Sequence, residues 1–231
     1  MPDQNSAKPL NIAFIKDGET FNDTAVDGWE LKAARRILMN LKTLLQGQPM
    51  LDLIADQIEE GDKFHRNLVA TSNGEYRESH IDLRVEGFSG KTLIQSLGKQ
   101  MASGVDAKAQ FAAHPEHYAL PLAYMGMVET IGAHPTRFKV SAATSLEGLP
   151  EAVAAFADPS YPLTMVGKLR LEDDTPFAFA IHQLRDTDDG SCEIALRLIY
   201  PKAAPDFMIE EHAEHLAIEF RSYIRQALAE G

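Results

Sequence analysis

The C-terminal half of this chain constrains its fold most strongly: a succession of strand-like segments runs straight into one long amphipathic helix. Residues at about 122–132, 136–144, 162–171, 176–186 and 190–200 read as strands. Asp186 to Gly190 (DTDDG) is a turn joining the last two. Earlier, Ile81, Leu83 and Val85 alternate with His80, Asp82, Arg84 and Glu86, the pattern of a half-buried strand. After Pro201 and Pro205 the period becomes helical, and Met208 to Glu230 carries Ile209, Ala213, Leu216, Phe220, Ile224 and Ala227 on one stripe. Such a stripe must bury itself, and the apolar face of the preceding sheet is the surface on offer. The expectation is an α+β helix-grip fold: a curved antiparallel sheet closed by a long C-terminal helix, with a ligand cavity between them.

The segments before this sheet are mostly helical. Residues 1–9 read as a flexible tail and 10–231 as a single α+β domain, with a short strand at 10–15. Its helical N-terminal part spans about 28–113, its main sheet about 120–200 and its closing helix about 207–229. Within the helical part the pattern predicts helices from Trp29 to Leu45, Leu51 to Glu60 (with Gly61 as the stop), Lys91 to Met101 and Asp106 to Ala113. A short helix is expected at Pro150 to Phe156. With 231 residues, 45% of them apolar, the chain is long enough to bury a sizeable core.

Charge excludes some partners. Asp and Glu number 34 against 22 Lys and Arg, for a net charge of -12, and no basic stripe is visible. A nucleic-acid surface and an anionic membrane surface are therefore not expected. No apolar run reaches the length of a membrane span, and Met1 to Pro9 lacks the basic-then-apolar pattern of a secretion signal. The single cysteine, Cys192, cannot form an internal disulfide and reads as a core residue of a strand. The expected location is the cytoplasm. A homodimer is left open.

Several polar residues stand where the pattern wants apolar ones. On the closing helix His212, His215 and Glu219 follow at i, i+3 and i+7, on a stripe adjoining the core stripe. Residues three and four apart share a helix face, so His215 and Glu219 can address one divalent cation such as zinc, or simply pair with each other on a solvated face. On the strand through Met125, Met127, Glu129 and Ile131, the Glu129 carboxylate is costly to bury without a cation or an arginine beside it. His182 shares a strand face with the small residues Ala178 and Ala180. It reads as an acid, base or ligand, or as a core histidine bonded to backbone. His114-Pro115-Glu116-His117-Tyr118 offers two further imidazoles three apart, and a phenol that could hold a substrate oxygen. His65, His80 and His134 lack such a context and are assigned structural roles.

Glu129 on a strand, His182 in IHQLRDTDDG, and His215 with Glu219 on the closing helix resemble the 2,4-diacetylphloroglucinol hydrolase and phloretin hydrolase family. The resemblance covers roughly residues 110–225. It implies a START-like helix-grip fold and a zinc ion held by two His and two Glu. It also implies hydrolysis of the carbon–carbon bond between an acyl group and a phenolic ring. Carried over, His215 and Glu219 correspond to the helix ligand pair, Glu129 to the strand ligand and His182 to a catalytic histidine. The remaining ligand would be His114 or His117, with His114 slightly favoured. Tyr118 would orient a phenolic hydroxyl of a small aromatic ketone, walled by Met125, Met127, Phe177 and Phe179. The alternative is a non-catalytic helix-grip carrier for an apolar or aromatic small molecule.

Overall fold

The computed structural model describes residues 12–102, 107–119 and 126–230. The chain divides into two compact units, one through Leu41 and one from Lys42. In the first, β1 (Phe14–Lys16) and β2 (Glu19–Phe21) form a hairpin. Its two-residue turn, Asp17-Gly18, has both φ angles positive, 52° and 84°, as a tight right-twisted hairpin needs. Helix α1 (Asp23–Leu44) follows, its last turn from Lys42 belonging to the second unit, and Trp29 packs on Phe21 with ring centroids 5.1 Å apart.

The second unit holds the sheet. In chain order come α2 (Gln48–Leu53), α3 (Ala55–Thr71), β3 (Tyr76–Glu86), α4 (Gly90–Ala102), α5 (Ala107–Ala113), β4 (His117–Ala119), β5 (Gly126–Ile131) and β6 (His134–Ala143). Then follow α6 (Glu151–Ala154), β7 (Leu163–Arg170), β8 (Pro176–Asp186), β9 (Ser191–Pro201) and α7 (Asp206–Glu230). Seven strands pair antiparallel in the order β3-β9-β8-β7-β6-β5-β4. The earliest strand of this sheet thus lies beside the latest, with Tyr76 opposite Pro201 and Glu86 opposite Ser191. Helix α7 packs on β3 and β9, completing the α+β helix-grip fold.

Period-two alternation sorts the side chains between the two faces of the sheet. Leu184, Ile194 and Leu196 meet Leu216, Phe220 and Ile224 of α7 in one cluster. Leu198 and Tyr200 meet Met208 of α7 and Leu68 of α3 in a second. The opposite face buries Phe179, Ile181 and Ile199 against Val153 of α6. Phe179 therefore points away from α7 and does not wall the expected cavity, whereas Phe177 packs with Leu68 and Phe138. A register shift between Leu169 and Arg170 on β7 breaks simple alternation at this point of β8. Met125, expected on the cavity wall, lies outside the described residues.

Two expectations about helices need correction. Gly61 ends no helix; it sits inside α3. A Cβ there would stand 2.8 Å from the Pro135 carbonyl oxygen, so the glycine is the contact through which α3 approaches β6. On α7 the buried stripe is Met208, His212, His215, Leu216, Phe220, Tyr223, Ile224 and Ala227, while Ile209 and Ala213 are only half buried. The imidazoles that read as a neighbouring stripe lie on the face turned to the protein interior. The sequence pattern could not separate two stripes one residue apart before the sheet's position was known.

Candidate metal centre

Three elements converge beneath α7. Helix α5 leads through His114 and Pro115 into the short edge strand β4, whose first residue is His117. His117 lies opposite Glu129 of β5 in the sheet register. Alternation turns Glu129 away from Val128, which packs with Met50 and Ile54, and toward α7. There α7 supplies His215 and, one turn on, Glu219. His117, Glu129 and His215 are almost wholly buried, at 0%, 6% and 4% exposure.

The distances among these groups are short and even. His117 Nε2 stands 3.5 Å from Glu129 Oε2 and 3.5 Å from Glu219 Oε1. His215 Nε2 is 3.9 Å from Glu129 Oε2. His114, His117 and His215 also place ligand atoms within 4.8 Å of one another. Tetrahedral ligands at bonds of roughly 2.0–2.2 Å lie about 3.3–3.6 Å apart. The spacing is too long for good hydrogen bonds and close to that of atoms sharing one ion.

Hydrogen bonds fix which nitrogens face inward. The carbonyl oxygen of Gln110 is 2.8 Å from His117 Nδ1 and can only accept, so Nδ1 carries a proton. Burial is the main force lowering the His117 pKa to about 4, against the pull of Glu219, so the ring is neutral near pH 7. Its Nε2 is then a lone pair aimed at two carboxylates, and it has no hydrogen-bond partner among the described residues. An acceptor surrounded by acceptors is unfavourable unless a cation or a proton sits between them.

The surrounding shell has the same character. Burial is the main cause raising Glu129 to about 7; Glu219 and Glu116 add to it and His215 opposes it. Burial opposes charge on His215, yet the carboxylates of Glu129, Glu116 and Glu219 together raise it to about 9. Glu116 Oε2 lies 3.6 Å from His215 Nδ1. The Tyr223 hydroxyl is 2.8 Å from both Glu219 Oε1 and Gln110 Oε1. A phenol has one proton to give, so Glu219 and Gln110 share a single donor. Imidazoles and carboxylates braced in this way by carbonyl, carboxylate and phenol are what a metal ligand set requires.

His114 and His117 play different parts. His114 Nδ1 accepts the backbone N–H of Glu116 at 3.1 Å, so a neutral His114 ring carries its proton on Nε2. Its ring stacks on His215, centroids 3.6 Å apart at 20°. Buried Lys42 donates to the carbonyl oxygens of His114 (3.2 Å) and Pro115 (2.6 Å) and clamps this turn. The lone pair that faces both carboxylates belongs to His117, which reverses the slight preference for His114.

Tyr118 does not join the cluster. As the strand neighbour of His117 it turns away, packs with Met50, Ile54 and Val128, and its hydroxyl accepts from Thr130 Oγ1 at 3.3 Å. The phenols beside the cluster are Tyr223 and Tyr200. The Tyr200 hydroxyl is buried without a hydrogen-bond partner among the described residues, and its ring meets His212 edge-on at 5.6 Å. Burial, and then the charge on Glu129, hold the Tyr200 proton well above the usual phenol range. The spacing of Tyr223 four residues after Glu219 was the only sequence signal for either tyrosine.

His182 lies on the α7 side of β8, edge-on to Phe220 with centroids 5.0 Å apart. Its buried Nδ1 has no hydrogen-bond partner among the described residues. Burial lowers its pKa to about 4, against the pull of Glu219. His212, buried among the other imidazoles, is lowered well below the usual range by burial first and then by His215. A cavity of about 360 Å³, lined in part by His114, Glu116, Thr130, His212 and His215, opens beside the cluster. Cys192 is buried in the core, and burial pushes its thiol up to about 12, so it is no nucleophile. Among the described residues no helix is long and apolar enough to cross a membrane.

No family model matches the chain, and no curated protein matches it. Among solved structures the chain is similar to Ara h 8.0201, at 10% identity and a TM-score of 0.40, over 67% of this chain and 99% of that one. It is similar in the same degree to an uncharacterised protein from Rhizobium leguminosarum, at 8% identity and a TM-score of 0.40, over 67% of this chain and 97% of that one.

Proposed function

We propose that His117, Glu129, His215 and Glu219 hold one divalent metal ion, zinc in the first instance, and that the site hydrolyses the carbon–carbon bond between an acyl group and a phenolic ring. The observation that carries the metal reading is the inward lone pair of His117 Nε2, 3.5 Å from each of two carboxylates. The donor set, two imidazoles and two carboxylates, suits a borderline cation such as zinc. The reaction class comes from the order of these residues along the chain, which resembles that of the phloroglucinol-type hydrolases.

A bound divalent ion supplies a Lewis acid for a ketone oxygen and lowers the pKa of a water near it. The chain's own residues do the rest. His182, neutral at pH 7, takes a proton from the attacking water at Nδ1, its buried and unsatisfied nitrogen. Hydroxide adds to the acyl carbon, the bond to the ring breaks, and the ring carbon receives that proton back from His182. The products are a carboxylic acid and the deacylated phenol. Tyr200, with a firmly held proton and no partner among the described residues, donates to a ligand oxygen in the role first assigned to Tyr118.

Metal analysis of the purified chain tests the centre. One equivalent of metal per chain is expected, lost in Glu219→Ala and in His117→Ala and kept in Tyr118→Phe. Incubation with an acyl-substituted polyhydroxybenzene, read by chromatography, tests the reaction. A chain that takes up no divalent metal at micromolar concentration refutes both. A metal-bearing chain that leaves such ketones intact but binds them favours the carrier.

A further inference from the structure

The sheet has two unlike edges. On one side it ends in β4, only three residues long. On the other it ends in β3, eleven residues long, with a strand neighbour on one side only among the described residues. A long exposed edge strand is a template for another strand, and proteins that leave one open commonly blunt it. Here the outward side chains carry charge in a particular order: Glu78, His80, Asp82, Arg84, Glu86.

We infer that β3 pairs antiparallel with β3 of a second copy of this chain, about a two-fold axis through Ile81, joining the two sheets into one. Antiparallel partners share a face, so the axis of such a pair must pass through a residue and not between two. Centred on Ile81, the pairing sets Glu78 opposite Arg84 of the second copy and His80 opposite Asp82 of the second copy, each twice. On the inner face Ser79 meets Leu83, and Ile81 meets itself. A centre at His80 sets Glu78 against Asp82. A centre at Asp82 sets that carboxylate against itself, Glu78 against Glu86 and His80 against Arg84. Like charges directly opposite destabilise a strand pair, so the order of charges excludes the centres at His80 and Asp82. Centres at Ser79 and Leu83 also avoid like charges but pair only residues 76–82 and 80–86, whereas the centre at Ile81 pairs all eleven residues of β3.

The surface beside this edge supports the same occupant. A groove of about 420 Å³ runs between β3 and α7, lined by Leu83, Val85, Ala217, Ile218 and Ile224 together with Arg84, Arg221 and Arg225. A second copy added to the edge covers the apolar part of that groove as it lengthens the sheet. Within one protomer Arg84 already bridges Asp189 and Glu193, and Arg197 pairs with Glu78 at 3.2 Å. Both side chains are thus held over the outer face of the strand, and the dimer extends these pairs into a network.

Sedimentation equilibrium of the full chain, from micromolar to a few hundred micromolar, tests the interface. The wild type is expected to dimerise. Arg84→Glu and Glu78→Arg each place like charges opposite at two points and are expected to weaken the dimer at least tenfold. The double variant Glu78→Arg/Arg84→Glu restores complementarity and is expected to dimerise again. A mixture of the two single variants forms heterodimers, because each supplies the charge the other lacks; that arm also shows that both are folded. A wild type monomeric throughout overturns the inference, as do single variants that dimerise like the wild type or a mixture that stays monomeric. An extended peptide from another protein on this edge would belong to the monomeric outcome.

Discussion

At the scale of single residues, the candidate centre depends on which nitrogen of each imidazole carries a proton. The Gln110 carbonyl decides this for His117, and Glu116 stands in the equivalent place for His215. Glu116→Gln, which keeps the size and removes the charge, is therefore expected to weaken metal affinity about 10–100-fold without abolishing it. Competition against a chromophoric chelator measures this. A second histidine answers a different question. His65, 1% exposed, lies 2.9 Å from Thr136 Oγ1 and packs on Phe177. Burial lowers its pKa to about 3, below the unfolded value near 6.5. The unfolded chain then binds the extra proton between these values, so the contribution of His65 is complete above about pH 6.5 and is lost as pH falls toward 3. Urea midpoints measured across that range should fall less steeply in His65→Gln than in the wild type; parallel decline would contradict the assignment.

At the scale of elements, α3 and β6 approach through a single glycine. Ala in place of Gly61 gains about 1 kcal/mol of helix propensity. It also drives a methyl to 2.8 Å from the Pro135 oxygen, with His134 Cβ 3.1 Å away. Backbone cannot swing aside as a side chain can, so the clash outweighs the propensity. Gly61→Ala is expected to destabilise the fold by roughly 1–3 kcal/mol, seen as a lower chemical-denaturation midpoint with an unchanged slope. Helix α7 shows the same dependence of an element on its partner. Its own period admits two neighbouring stripes, and the sheet selects the one bearing His212 and His215.

At the scale of the whole molecule, the centre joins elements far apart in the chain: β4, β5 and α7. An ion bound by all three exists only in the folded state and stabilises it by linkage, by about 2.7 kcal/mol at a hundredfold excess over Kd. For a domain of this size that corresponds to a rise in Tm of roughly 5–10 °C, since each kcal/mol shifts it about 2–4 °C. Thermal unfolding with added zinc and with a chelator measures the difference. The shift should vanish in Glu219→Ala; an equal shift in that variant would place the ion elsewhere.

Local periodicity was enough for much of this protein. Alternation in Ile81–Val85 and in the segments from 126 to 200, and the 3.6-residue period after Pro205, determined the α+β class and the closing helix, because burying one face of each element requires those spacings. The cost of an unpartnered carboxylate marks Glu129 in the sequence itself, and the four-residue spacing does the same for His215 and Glu219. The tertiary structure alone decided what depends on neighbours distant in sequence: that His117 and not His114 aims a lone pair at the carboxylates, that Tyr118 turns outward, and that Tyr200 and Tyr223 stand beside the cluster. Those choices follow from register, from a backbone carbonyl in α5 and from the stripe of α7 that the sheet accepts. Apart from the four-residue step from Glu219 to Tyr223, spacing along one segment carries no information about them.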